Sequence, residues 1–291
     1  MKTYHTIVFQ ESEGGGNPCP VTLNADALTT EEMQAMTRKF GFESVYLMKP
    51  TRSDCDIKAR YFVPLHEMEM CIHATIGSAT VLVRENIFQK SPIIYETVYG
   101  PIQVDWIRED ERIKVSVNQF LPKYAEHNPQ TEEICAALRI SAKNLLDYPV
   151  QSVATSRMKL IIPLKSREIL DHLDPDFEKL WDLCDTYETT GFYPFAPETA
   201  SDGTIHFCAR QFPKRAGYPE DPATGVAASA LGAYLAKYEF LPLKDGWNTY
   251  QIRQGFAMHR PSVIESEIYI ENGSITATRV CGDAFITDTS I

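Results

Sequence analysis

The chain has 291 residues, 44% of them hydrophobic and 23% charged, with a formal net charge of −11. That size and balance suit one large or two medium globular domains with a substantial core. The acidic excess, without any run of Lys and Arg, argues against nucleic acid or an anionic membrane as partner, because phosphate binding needs basic patches.

Met1 to Phe9 enters a strand directly and shows no signal-peptide pattern. No later stretch approaches the roughly 20 apolar residues of a membrane span. The seven cysteines are scattered and never spaced as CxxC, so reduced thiols and a cytoplasmic location are expected. Gly14-Gly15-Gly16-Asn17-Pro18 follows the first strand. Its amides either cradle an anion or form only a tight turn, and the spacing fits neither the dinucleotide fingerprint nor the P-loop. Thr29-Thr30-Glu31-Glu32 offers a capping box for a helix with Met33, Met36 and Phe40 on one face. Glu43 then opens the strand Ser44-Val45-Tyr46-Leu47. It is either solvated there or, among aromatics, desolvated and raised toward neutrality, which suits proton transfer.

His66-Glu67-Met68-Glu69-Met70-Cys71-Ile72-His73 falls short of a zinc motif, since HExxH would require His where Met70 stands. His73 reads as a neutral imidazole at a helix N-terminus, where the dipole disfavours a cation. The helix Ala74 to Val83 carries almost no charge and should be enclosed on all sides. Glu96 to Tyr99, Ile102 to Trp106 and Arg112 to Val117 read as strands, with Arg108 to Glu111 as a hairpin turn. Pro122 to Gln130 is the expected crossing to a second half. Asp176 to Tyr187 reads as a surface helix with Phe177, Leu180, Trp181 and Cys184 inward.

Glu220-Asp221-Pro222-Ala223-Thr224-Gly225 opens a second uncharged helix running to Tyr238. Pro222 suits its first turn, and the free amides beyond it suit a substrate carboxylate. Asp221 reads equally as a helix cap or a catalyst. Asn272-Gly273 between Val263–Ile270 and Ile275–Val280 predicts a hairpin, since both turn residues need positive φ. The uncharged helices begin alike, with Ala74-Thr75 and Ala223-Thr224 about half the chain apart. Two similar halves follow, each a set of strands wrapped around one buried helix and aiming an ionisable side chain, His73 or Asp221, at a shared cleft.

Gly16-Asn17-Pro18, Glu43-Ser44, His73-Ala74-Thr75-Ile76-Gly77, Glu220 to Gly225, and Gln254-Gly255 with Arg260-Pro261-Ser262 occur in this order. Together they resemble the PhzF family of phenazine-biosynthesis-like isomerases, of the diaminopimelate-epimerase-like fold. The resemblance implies an α+β fold of two pseudo-symmetric domains, each a β-barrel-like sheet around a central helix. Their expected extents are 1–118 plus about 277–291, and 119–276, with the active site between them. It also implies cofactor- and metal-independent movement of a proton within a small-molecule carboxylate, by a homodimer. Glu43, His73 and Asp221 take the catalytic positions. Gly16, Asn17, Ser44, Ala74, Thr75, Thr224, Gly225 and Val226 take the substrate-binding ones.

The best-known family reaction isomerises trans-2,3-dihydro-3-hydroxyanthranilate. Two departures bear on it: Ile72 stands where the family usually has Gly, and Val226 where it usually has Ser. They point to a different, less polar carboxylate, or to a member that binds a metabolite without chemistry. A related two-cysteine epimerase class would need one thiol near Cys71 and a second near Pro222, which carries no proton.

Overall fold

Alternating and apolar segments pair into a single 18-stranded sheet in the computed structural model, which describes residues 1–290. The pairings repeat. Lys2–Val8, Asn17–Leu23, Ser44–Met48, Ile57–Phe62, Ile93–Thr97, Gly100–Glu109 and Arg112–Gln119 neighbour one another in that order. Their contacts run antiparallel, parallel, antiparallel, parallel, antiparallel, antiparallel. Gln151–Ala154, Lys159–Pro163, Gly191–Thr199, Ile205–Ala209, Gly246–Gln254, Ser262–Glu271 and Ser274–Gly282 repeat the same series.

A parallel pair needs a crossover that no tight hairpin supplies, and here every crossover carries a helix. Thr30–Phe40 and Phe177–Thr186 serve the first parallel pair of each half. Ile72–Arg84 and Gly225–Lys237 serve the second. These last two, 13 residues each, are buried from Ile72 to Val83 and from Gly225 to Ala236. Neither has a charged residue before its last turn, so each can be enclosed by its own set of strands. The halves join where Arg112–Gln119 pairs Ser274–Gly282, and the last strand, Ala284–Ser290, returns to Lys2–Val8. No helix among the described residues is long and apolar enough to cross a membrane.

Local signals set most boundaries. Thr29 accepts from the Glu32 amide while the Glu32 carboxylate accepts from the Thr29 amide, closing the capping box. Asp176 caps Phe177–Thr186. Asn272 (φ 51°) and Gly273 (φ 75°) form the hairpin turn their sequence demands. Two expectations are corrected, and the open alternative at the glycine run is resolved. Val98 and Tyr99 belong to a turn, not a strand, because Thr97 Oγ1 donates to the Gly100 carbonyl and accepts from the Tyr99 amide. The amides of Gly15 and Gly16 donate to the Ser12 and Pro261 carbonyls, so the glycine run is a packed turn and not an anion cradle. Pro222 lies outside its helix, which starts at Gly225 with Thr224 as N-cap. The Asp221 amide bonds the Gln211 carbonyl at 3.1 Å, and the following proline favours that extended conformation.

The central helices meet end to end. A Cβ at Gly225 would lie 2.7 Å from both Cβ and Cγ2 of Ile72. We predict that Gly225→Ala costs about 1–3 kcal/mol through overpacking, and that most of this penalty disappears in an Ile72→Gly background. Guanidinium melts of the four proteins measure the coupling. Additive effects would refute the contact.

Candidate active site

The meeting of the two helices places their first turns at one cleft with a cavity volume of about 50 Å³, with Cys71, Ile72, His73, Thr224, Gly225 and Val226 on its wall. The Thr224 side chain does not cap its own helix, and Cys71 Sγ is turned to Glu43 and to His73 Nδ1 at 3.2 Å. The first-turn amides therefore remain available to an anion, and both helix dipoles favour one there.

Glu43 is held from several sides. Its Oε1 accepts from the Tyr218 hydroxyl at 2.5 Å, its Oε2 lies 3.5 Å from Cys71 Sγ, and Nδ1 of His73 is 3.2 Å away. Tyr218 reaches it from the bend 214–219, which packs against Leu65 at Gly217. Burial pushes His73 below its ordinary value, against the pull of Glu43, so at neutral pH the imidazole is uncharged and its contact with Glu43 is not an ion pair. Burial and the charge of Glu43 push the Cys71 thiol and the Tyr218 phenol well up. Glu43, Cys71 and His73 lie close enough for one cation.

Asp221 faces Glu43 from the second half. Its Oδ1 accepts from Asn17 Nδ2 at 2.7 Å, and Oδ2 accepts from the Thr224 hydroxyl. Burial, followed by repulsion from Glu43, pushes Asp221 well above the carboxylate range, although Thr224, Asn17 and Lys159 pull it down. Asn17 Nδ2 also bonds the Ala223 carbonyl at 2.9 Å. Gln254 Nε2 donates to the Asp221 carbonyl at 2.6 Å, and its Oε1 accepts from the Thr224 amide at 3.2 Å. A second cavity, lined by Asn17, Phe42 and Arg260 among others, opens on the far side of Glu43, Tyr218 and Asp221, which thus stand as a partition.

Of the residues expected at the site, Glu43, His73, Asp221, Asn17, Thr224, Gly225 and Val226 line these cavities. Gly16, Ser44, Ala74 and Thr75 do not. Ser44 Oγ is turned to the Phe42 carbonyl, and Thr75 Oγ1 to the Cys71 carbonyl and Tyr61. Tyr218, Gln211, Arg157 and Lys159 line the cleft without having been singled out. Gln254 lay in a noted motif, but only the fold shows it fastening the Asp221 segment.

Sheet-wrapped halves around buried helices are the architecture of PhzF proteins and of proline racemases. A PhzF-family phenazine biosynthesis protein of Bacillus anthracis superposes with a TM-score of 0.87 at 24% identity, covering 100% of this chain and 98% of that one. A probable proline racemase of Agrobacterium radiobacter gives 0.67 at 12% identity, covering 100% and 92%. The profile described as "Phenazine biosynthesis-like protein" matches residues 7–289. An uncharacterized isomerase of Clostridium acetobutylicum is 30% identical over 97% of this chain and 95% of its own length. The trans-2,3-dihydro-3-hydroxyanthranilate isomerase of Pseudomonas aeruginosa is 28% identical over 92% and 90%. The chain belongs to the phenazine biosynthesis-like family of isomerases.

A carboxyl raised in the folded state binds more protons folded than unfolded, so its contribution to stability falls as pH rises above the ordinary aspartate range. Asp221→Asn keeps the shape and removes that loss. Its stability relative to wild type should therefore grow from pH 4.5 to pH 8 in urea melts. A pH-independent difference would show that Asp221 is not raised.

Proposed function

We propose that this isomerase moves a proton within a small carboxylate-bearing molecule, with Glu43 as the carrier. The observation that carries the reading is the placement of Glu43: donors from both halves orient it at the point where two helix N-termini converge. The substrate carboxylate sits on the first-turn amides of Gly225 and Val226. Glu43 takes a proton from carbon, the electron pair passes into the adjoining π system, and the same carboxyl returns the proton to another carbon. No electron is gained or lost, so one acid–base group closes the cycle. Tyr218 and Cys71 fix the carboxylate while leaving lone pairs free. Neutral His73 orients it without neutralising it. Asp221, raised by burial, holds a proton for a polar group of the substrate.

The two-cysteine alternative gains no support. The Cys71 thiol is pushed well up, and its counterpart position is Pro222.

The test uses trans-2,3-dihydro-3-hydroxyanthranilate in D₂O, followed by proton NMR. Wild type should introduce deuterium into the ring, and Glu43→Gln should lose about 10²–10⁴-fold in rate with unchanged circular dichroism. Full activity in Glu43→Gln would overturn the assignment. No turnover by folded wild type would favour either a substrate changed by Ile72 and Val226 or a member that binds without chemistry.

A further inference from the structure

The cleft contains two buried polar side chains, Lys159 and Gln211, that the proton-transfer scheme does not use. Lys159 opens the strand Lys159–Pro163, is only 4% exposed, and lines the cleft. No hydrogen bond or ion pair within the described residues takes up its amine. Gln211 is 1% exposed, and both its Oε1 and Nε2 are buried without a partner.

The strand register brings the two together. Leu160 pairs with Phe192, which sets Lys159 beside Gly191, and Gly191 pairs with Pro213 just beyond Gln211. A Cβ on Gly191 would lie 2.4 Å from Gln211 Nε2, so glycine there is what leaves room for the amide. Arg157, Lys214 and His66 line the same cleft.

A buried amide without a partner is costly in the free protein, and so is protonating the largely buried Lys159 amine with no carboxylate bonded to it. A ligand oxygen that accepts from both would remove the cost. Desolvation and then Arg157 bring the Lys159 amine down to about 7, while Asp221, Glu43 and Cys184 pull it up. An anion arriving there would complete its protonation.

We propose that Lys159 and Gln211 form a second anion subsite, so that the substrate carries another carboxylate besides the one at the helix N-termini. This rests on the isomerase reading above. Val226 argued for a less polar substrate, but it removes a hydroxyl at one end of a cleft that Lys159 and Gln211 make polar elsewhere.

Calorimetric titration with succinate, glutarate and isophthalate, each beside its monocarboxylate counterpart butyrate, valerate or benzoate, tests the proposal. At least one dicarboxylate should bind about ten-fold or more tighter than its counterpart, as one charge-assisted bond would give. Lys159→Met should abolish that preference and Gln211→Leu should weaken it, with monocarboxylate affinity unchanged in both. At pH 8, wild type should take up a proton on binding the dicarboxylate, read from the enthalpy in two buffers, and Lys159→Met should not. Circular dichroism verifies the fold of each variant, and Gln211→Leu provides a separate arm.

Monocarboxylates bound as tightly as dicarboxylates, or equal losses for both in Lys159→Met, would overturn the subsite and leave the Glu43 reading standing. A dicarboxylate preference alongside full turnover by Glu43→Gln would do the reverse. Binding of neither class would overturn both.

Discussion

Everything at the site depends on one contact, Ile72 against Gly225. Two buried helices usually pack side by side, but here they converge N-terminus to N-terminus, and the missing Cβ at Gly225 permits it. Each end carries roughly half a positive charge, so the junction repels itself unless anions gather there. Glu43 and Asp221 stand at this junction, one from each half of the chain, with room beside them for a carboxylate ligand. The same geometry that builds the core therefore selects the charge of what enters the cleft.

Burial then adjusts the groups that surround the junction. It lowers His73 and Lys159 and raises Cys71, Tyr218 and Asp221, in each case toward the uncharged form. A site built this way keeps protons on Cys71, Tyr218 and Asp221 and withholds one from His73, so few charges compete with a proton moving between two carbons. Among the hydrogen bonds that span the halves, Tyr218 to Glu43 and Asn17 to Asp221 hold the two acids themselves. They tie the orientation of each acid to the closure of the cleft.

How far the sequence revealed this depended on whether the signal was local. The capping box at Thr29, the Asn272-Gly273 turn and the charge-free helices each state their structure within a few residues, and the half-length repeat of helix starts anticipates the duplicated strand series. The Glu43, His73 and Asp221 segments were visible as motifs. Tyr218 was not, because it sits in an irregular bend with no periodic pattern and meets Glu43 only across the fold. Lys159 looks like any lysine at a strand start until the register encloses it, and Gln211 gains meaning only beside Gly191. Pro222 misled because a proline before a helix fits its first turn as readily as the extended segment it actually occupies.

The most direct test of the converging helix ends is a ¹⁵N amide titration with benzoate. The amides of Ile72, His73, Gly225 and Val226 should shift together along a single binding curve, because one carboxylate feels both helix N-termini. Saturating shifts at only one helix, or at neither, would contradict the shared anion site on which this account rests.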